Sequence, residues 1–212
     1  MKPELVEHLN KAREAMTDLD SILSRNKYRD DLRSALVAGL LTTIIQYHHS
    51  ILLLANHGDI RSAVALARDV VDNMYVGLWI NVCASSDQIS KIKGDASFPV
   101  TYPEIFEQVD SRYKDNTLFA DLRNRCGAPL YSYNRSGILT LGLWSVGSSV
   151  ELEHDELELA RAASGISVCI LFLASEFLAN QNQPAESTAV RTLIDDYEKR
   201  CASLALFLHK SA

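Results

Sequence analysis

Five residues of the kinds that hold charged ligands recur along one stretch, DIRSAVALARDVVDNMYVGLW: Arg61, Arg68, Asp72, Tyr75 and Trp79. At about 100° per residue they fall within roughly 60° of one another around a helix axis, so they form one polar-aromatic stripe. The other side of that helix (Ala63, Leu66, Ala67, Val70, Val71, Met74, Gly77, Leu78) is small and apolar and is expected to pack. Arg68 and Asp72 stand four apart and can pair on one face. Such a pair either fixes helix register as a structural ion pair or lets Asp72 orient Arg68 toward an anion or nucleotide. In a third reading Trp79 and Tyr75 anchor a dimer interface.

A second polar cluster, Tyr131-Ser132-Tyr133-Asn134-Arg135-Ser136-Gly137, sits in a link that enters a helix. Asn134 can cap that helix and leave backbone donors near Arg135 and Ser136, an arrangement suited to an anion. The alternative is a capped loop with ring packing. The histidines offer less. His48 lies near Leu41, Ile45 and Leu52 on the helix surface and reads as a core histidine. His49 shares its side with Thr42 and Gln46 and is the one that could face a polar site. Adjacent residues point in different directions, so the two do not chelate one ion easily. No HExxH or Glu-x-x-His pair accompanies them, and no metal site is expected. The acidic run Glu151, Glu153, His154, Asp155, Glu156 and Glu158 reads as a solvated helix start. No nucleophile elbow, P-loop or dinucleotide fingerprint is present, and no cofactor is expected.

The elements that must position these residues are helices. The chain has 212 residues, 47% of them apolar, with nine glycines, five prolines and no internal repeat. That suits one all-α domain over 1–212, with too few turn formers for a β-rich fold. The reading is an antiparallel bundle of four to five long helices plus short ones. The first runs from Pro3 to about Ser24. The second runs from Asp31 to His57, is apolar nearly all round and is expected to be the most buried, with Ala38, Thr42, Gln46, His49 and Asn56 gathered on one side. The third starts with Asp59 as its cap and reaches about Ala84. Short helices are expected from Ser85 to Lys93, Glu104 to Arg112, Asn116 to Arg125 and Ser136 to Trp144. Long ones follow from His154 or Asp155 to Asn180 and from Ala185 to Leu208.

Charge and cysteines narrow the setting. The net charge of −6 gives no electrostatic reason to expect a nucleic-acid surface, and no DNA partner is expected. Cys83, Cys126, Cys169 and Cys201 include no CxxC pair. We expect a reducing, cytoplasmic setting and no signal peptide. Ser34 to Gly58 carries no Asp, Glu, Lys or Arg and is long enough to span a bilayer. Gln46-Tyr47-His48-His49-Ser50 at its middle would be costly in lipid, so it is read as a helix of a soluble bundle.

Two segments carry a family resemblance. GDIRSAVALARDVVDNMYVGLWI resembles a helix of several uncharacterised bacterial families, in which a Gly-Asp/Glu corner precedes S-A-x-x-L-x-R-x-x-x-E/D. YSYNRSGILTLG resembles their later segment. These families are distantly similar to the HEPN helical bundle of toxin–antitoxin and phage-defence systems, and the matched segments cover about a sixth of this chain. The resemblance implies an α-helical bundle that often dimerises. In active members an Arg-x(4–6)-His pair cleaves RNA, the arginine holding phosphate and the histidine relaying a proton. Here Arg68 and Asp72 match the basic and acidic positions. No arginine precedes a histidine at that spacing, and Asn134-Arg135 stands where the relatives have histidine.

The first expectation is therefore a binding or regulatory module, not an enzyme, and a homodimer. Its groove would be lined by Arg61, Arg68, Asp72, Tyr75, Tyr131, Asn134 and Arg135, for a nucleotide, an RNA end or a protein partner. The second is a divergent, metal-independent ribonuclease or nucleotide-processing enzyme in which His49 joins Arg68 or Arg135 as catalytic groups. The third is a purely structural homodimeric module with Trp79 and Trp144 at the subunit boundary.

Overall fold

The computed structural model describes residues 3–94, 98–122 and 152–208; the side chains of some helical positions, Arg61 and Arg68 among them, lie outside that set. The described residues form an all-α fold with no strand among them. In order these are α1 (Pro3–Leu23), α2 (Leu32–Asn56), α3 (Ile60–Leu78), a π-turn (Trp79–Cys83), α4 (Ser86–Gly94), α5 (Tyr102–Arg112), α6 (Thr117–Leu122), α7 (Leu152–Asn180) and α8 (Pro184–Leu208). The expected helix from Ser136 to Trp144 lies outside the described residues.

Local chemistry sets the starts of these helices. The Asp31 carboxylate accepts from the Ser34 amide at 2.8 Å, and Asp59 accepts from the Ser62 amide at 3.2 Å. Each satisfies a first-turn N–H that has no partner within its helix. The corner between α2 and α3 turns on Gly58, whose φ of +79° favours a residue without Cβ. Glu104 reaches back to the Thr101 amide at 2.7 Å, closing a capping box at α5.

The core forms around α7, against which α1, α2, α3, α6 and α8 all pack. Its stretch from Ala163 to Leu178 is buried except for half-buried Ser164 and Glu176. Helix α3 comes so close that a Cβ on Gly77 would stand 2.7 Å from Leu173 Cδ2. Two polar latches fix the ends. Gln181, in the turn after α7, accepts from the Arg29 amide at 2.8 Å and donates to Ser34 Oγ at 2.9 Å, tying that turn to the α1–α2 link. The Arg33 guanidinium donates to the carbonyls of Ile80, Asn81 and Ala84, and the Asn180 side chain donates to the Asn81 carbonyl at 3.1 Å. These donors take up carbonyls that a helix end leaves without intrahelical partners.

Two expectations need correction. The third helix does not continue regularly to Ala84. From Trp79 the chain widens into a π-turn closed by the Ala84 amide on the Trp79 carbonyl at 2.8 Å. Nor is α2 the most buried element. Among the described residues two helices are long and apolar enough to cross a membrane; the stretch in α7, Ala163–Asn180, is 78% buried in the fold, the one in α2 only 39%. Helix α2 lies at the edge, with one side on α3 and α7 and the other open.

Candidate functional site

The aromatic end of the α3 stripe turns inward. Tyr75 is 3% exposed; its hydroxyl donates to Asp110 Oδ1 at 3.1 Å, and its ring lies 4.0 Å from that of Phe106 and 5.6 Å from that of Phe119. Trp79 is fully buried. Its indole N–H donates to Gln108 Oε1 at 2.9 Å, and its ring meets Phe98 at 5.5 Å. Both residues therefore serve to seat α5 on α3. Trp79, expected at a subunit boundary, is enclosed within this one chain. Asp72 is half-buried on the same helix. The side chains of Arg61 and Arg68, and all of Tyr131, Asn134, Arg135 and Trp144, lie outside the described residues, so the expected Arg68–Tyr131–Arg135 juxtaposition does too.

The two adjacent histidines part company. His48 is fully buried, with Nε2 3.0 Å from Ser167 Oγ. The Ser167 hydroxyl donates to the Ala163 carbonyl at 2.8 Å, so its hydrogen is committed there and the imidazole is the donor to it. Burial first, then the nearby positive charges of His49 and Arg13, hold the His48 pKa down at about 3. It is a neutral core histidine, and its Nδ1 has no hydrogen-bond partner. His49, one residue on, is exposed.

His49 opens onto a groove of about 630 Å³ between α1 and α2. The short link at residues 24–31 joins the two helices, and Phe177 of α7, 1% exposed, lies at the base of the groove. One wall is the side of α2 already grouped from the sequence: Ala38, Thr42, Gln46 and His49, with Leu41 and Ile45 beneath. The other wall is the last turn of α1, Asp20, Ser21, Leu23 and Ser24, and Tyr28 of the link closes the end. Tyr28 and Phe177 stack at 5.0 Å with planes tilted by 49°. Burial raises the Tyr28 pKa, which keeps the phenol protonated, and its hydroxyl donates to the Leu23 carbonyl at 2.7 Å.

The groove residues outside α2, among them Asp20, Tyr28 and Phe177, went unrecognised in the sequence. One signal was available. Asp20 lies in the last turn of α1, a turn with no basic residue, where a carboxylate opposes the helix dipole. A locally unfavourable charge is a hint that something else uses it.

Chemically, the groove can bind. Its volume lies in the range of small-molecule sites, and it joins an apolar, aromatic floor to polar walls. Among the described residues no arginine lines it, and none of them forms an Arg–His pair with His49 there. Among the described residues no three His, Cys, Asp or Glu side chains converge on a point that could hold a metal ion. No curated protein and no solved structure matches this chain. Residues 41–202, from the middle of α2 to the body of α8, match the model of a family of unknown function, DUF6988, and the chain belongs to that family.

Proposed function

We propose that this protein is a cytoplasmic helical-bundle binding module, without catalytic activity of its own, that holds a small ligand in the α1–α2 groove. The groove itself carries this reading. It is open, of ligand size, and lined by side chains whose hydrogen-bonding capacity the fold does not use. Asp20, Ser21, Gln46 and His49 have no side-chain hydrogen bond or ion pair. The buried histidine supports a non-catalytic role. His48 is neutral and enclosed, and the serine beside it hydrogen-bonds to backbone.

The test is to identify what copurifies. Thr42 is exposed on the groove wall, so Thr42→Trp fills the groove without entering the core. We expect mass spectrometry of wild-type protein, released under denaturing conditions, to show a small molecule that Thr42→Trp lacks and Arg68→Ala retains. The opposite pattern, loss with Arg68→Ala and retention with Thr42→Trp, would move the site to the α3 stripe and sink the groove reading.

A further inference from the structure

The hydrogen-bonding polarity of the groove narrows what can enter it. Three of its four hydroxyls, all but that of Ser21, donate their protons to backbone carbonyls. Thr42 Oγ1 donates to the Ala38 carbonyl at 3.0 Å, Ser24 Oγ to the Ser21 carbonyl at 3.4 Å, and the Tyr28 hydroxyl to Leu23. Each oxygen is left with lone pairs only. The Asp20 carboxylate, an acceptor, is the one carboxylate among the described lining residues, which include no Lys or Arg. It stands at the C-terminal end of α1, where the helix dipole is itself negative and the last turn carries no basic residue to offset it. Arg25 and Lys27 follow in the link, but neither lines the groove. Below the acceptors lies the tilted Tyr28–Phe177 pair, whose ring faces attract both apolar groups and cations.

We infer that the α1–α2 groove takes a protonated amine carried on an apolar or aromatic body, the ammonium against Asp20 and the last turn of α1, the body on Tyr28 and Phe177. An ammonium supplies three donors and no acceptor, which matches a wall of acceptors. An anion would meet the Asp20 charge, with donors among the described lining residues on Ser21, Gln46 and, by tautomer, His49 to set against it. This inference rests on the groove being the binding site, and the experiment separates the two claims.

Three probes share one body: 4-phenylbutylamine, 4-phenylbutan-1-ol and 4-phenylbutyrate. Their dissociation constants are measured at pH 7 by ligand-observed NMR with wild type, Asp20→Asn and Thr42→Trp. The amine should bind wild type about tenfold more tightly than the alcohol, since an ammonium–carboxylate pair adds the attraction of opposite charges to the hydrogen bond that the alcohol also makes. The acid should bind weakest. Asp20→Asn should weaken the amine more than the alcohol and so erase the preference between them, and Thr42→Trp should abolish binding of all three. If the probes bind and Thr42→Trp removes them, but the amine has no advantage or keeps it in Asp20→Asn, the groove stands and the cationic class falls. If no probe binds wild type, or Thr42→Trp binds them as well as wild type does, the groove reading falls and takes the inference with it.

Discussion

Helices α2 and α7 are alike in composition and differ in placement. Each contains a long apolar stretch, yet 78% of the α7 stretch is enclosed against 39% of that in α2. Helix α7 has neighbours on nearly every side; α2 has α3 and α7 on one side and an opening on the other. Composition reports how much apolar surface a helix has to bury, whereas position decides how much is buried. A helix whose long uncharged stretch stays half-open retains side chains whose bonding is not consumed by packing, and here Gln46 and His49 are such side chains on the groove. The contrast recurs between neighbours on α2 itself. His48 points into the sealed side and His49 into the open one, about 100° around the axis.

The largest expected effect tests this difference in burial. Leu173→Ala empties a fully buried position in α7 and should cost about 2–5 kcal/mol. Leu53→Ala, on the outer side of α2 at 59% exposure, should change stability by no more than about 0.5 kcal/mol. Urea unfolding of both variants checks this. A Leu53→Ala loss comparable to that of Leu173→Ala would mean that the outer side of α2 is covered in solution, by a second copy or another partner.

Much of the fold was legible because its cues are local. Asp31 and Asp59 sit at the starts of two helices, and both cap them. The side of α2 bearing Ala38, Thr42, Gln46 and His49 could be drawn from periodicity alone. The π-turn could not, because one extra residue in a continuous apolar run leaves the pattern of residue types unchanged while rotating everything after Leu78. The aromatic end of the α3 stripe meets surroundings that spacing within the helix does not specify. What covers Tyr75 and Trp79 is α5, and their partners Asp110 and Gln108 lie about thirty residues on, beyond any spacing rule. The α1 wall of the groove was hidden for the same reason, since only the fold sets it across from α2.

A smaller effect sharpens the contrast between the two histidines. The His48 pKa is about 3 in the fold, against about 6.5 in an unfolded chain. Between these values the unfolded state binds the proton and the folded state does not. The stability held by neutral His48 is therefore complete above about pH 6.5 and declines as pH falls toward 3. From pH 7 to pH 5 this amounts to a loss of about 2 kcal/mol. His48→Gln should lose that much less than wild type over the interval, whatever its stability at pH 7. His49→Gln, altered on the open side, should follow the wild-type curve. Chemical denaturation at pH 7, 6 and 5 supplies the comparison, and parallel curves for wild type and His48→Gln would contradict the sealed placement of His48.

The smallest effect separates a residue kept for folding from one kept for binding. Asp20 has no ion-pair partner and opposes the dipole of its own helix, so Asp20→Asn should raise the stability of the ligand-free protein by roughly 0.3–0.5 kcal/mol at low ionic strength. Salt should shrink the gain, because the interaction relieved is a screened, exposed one. Replicate urea midpoints at two salt concentrations read it. A buried core residue such as Leu173 cannot behave this way, since any truncation there removes contacts. A gain at Asp20, paired with loss of amine preference in the groove, is the trade expected where local stability has been given up for a ligand. A loss of stability would instead make Asp20 part of the scaffold and remove the dipole argument for a cation.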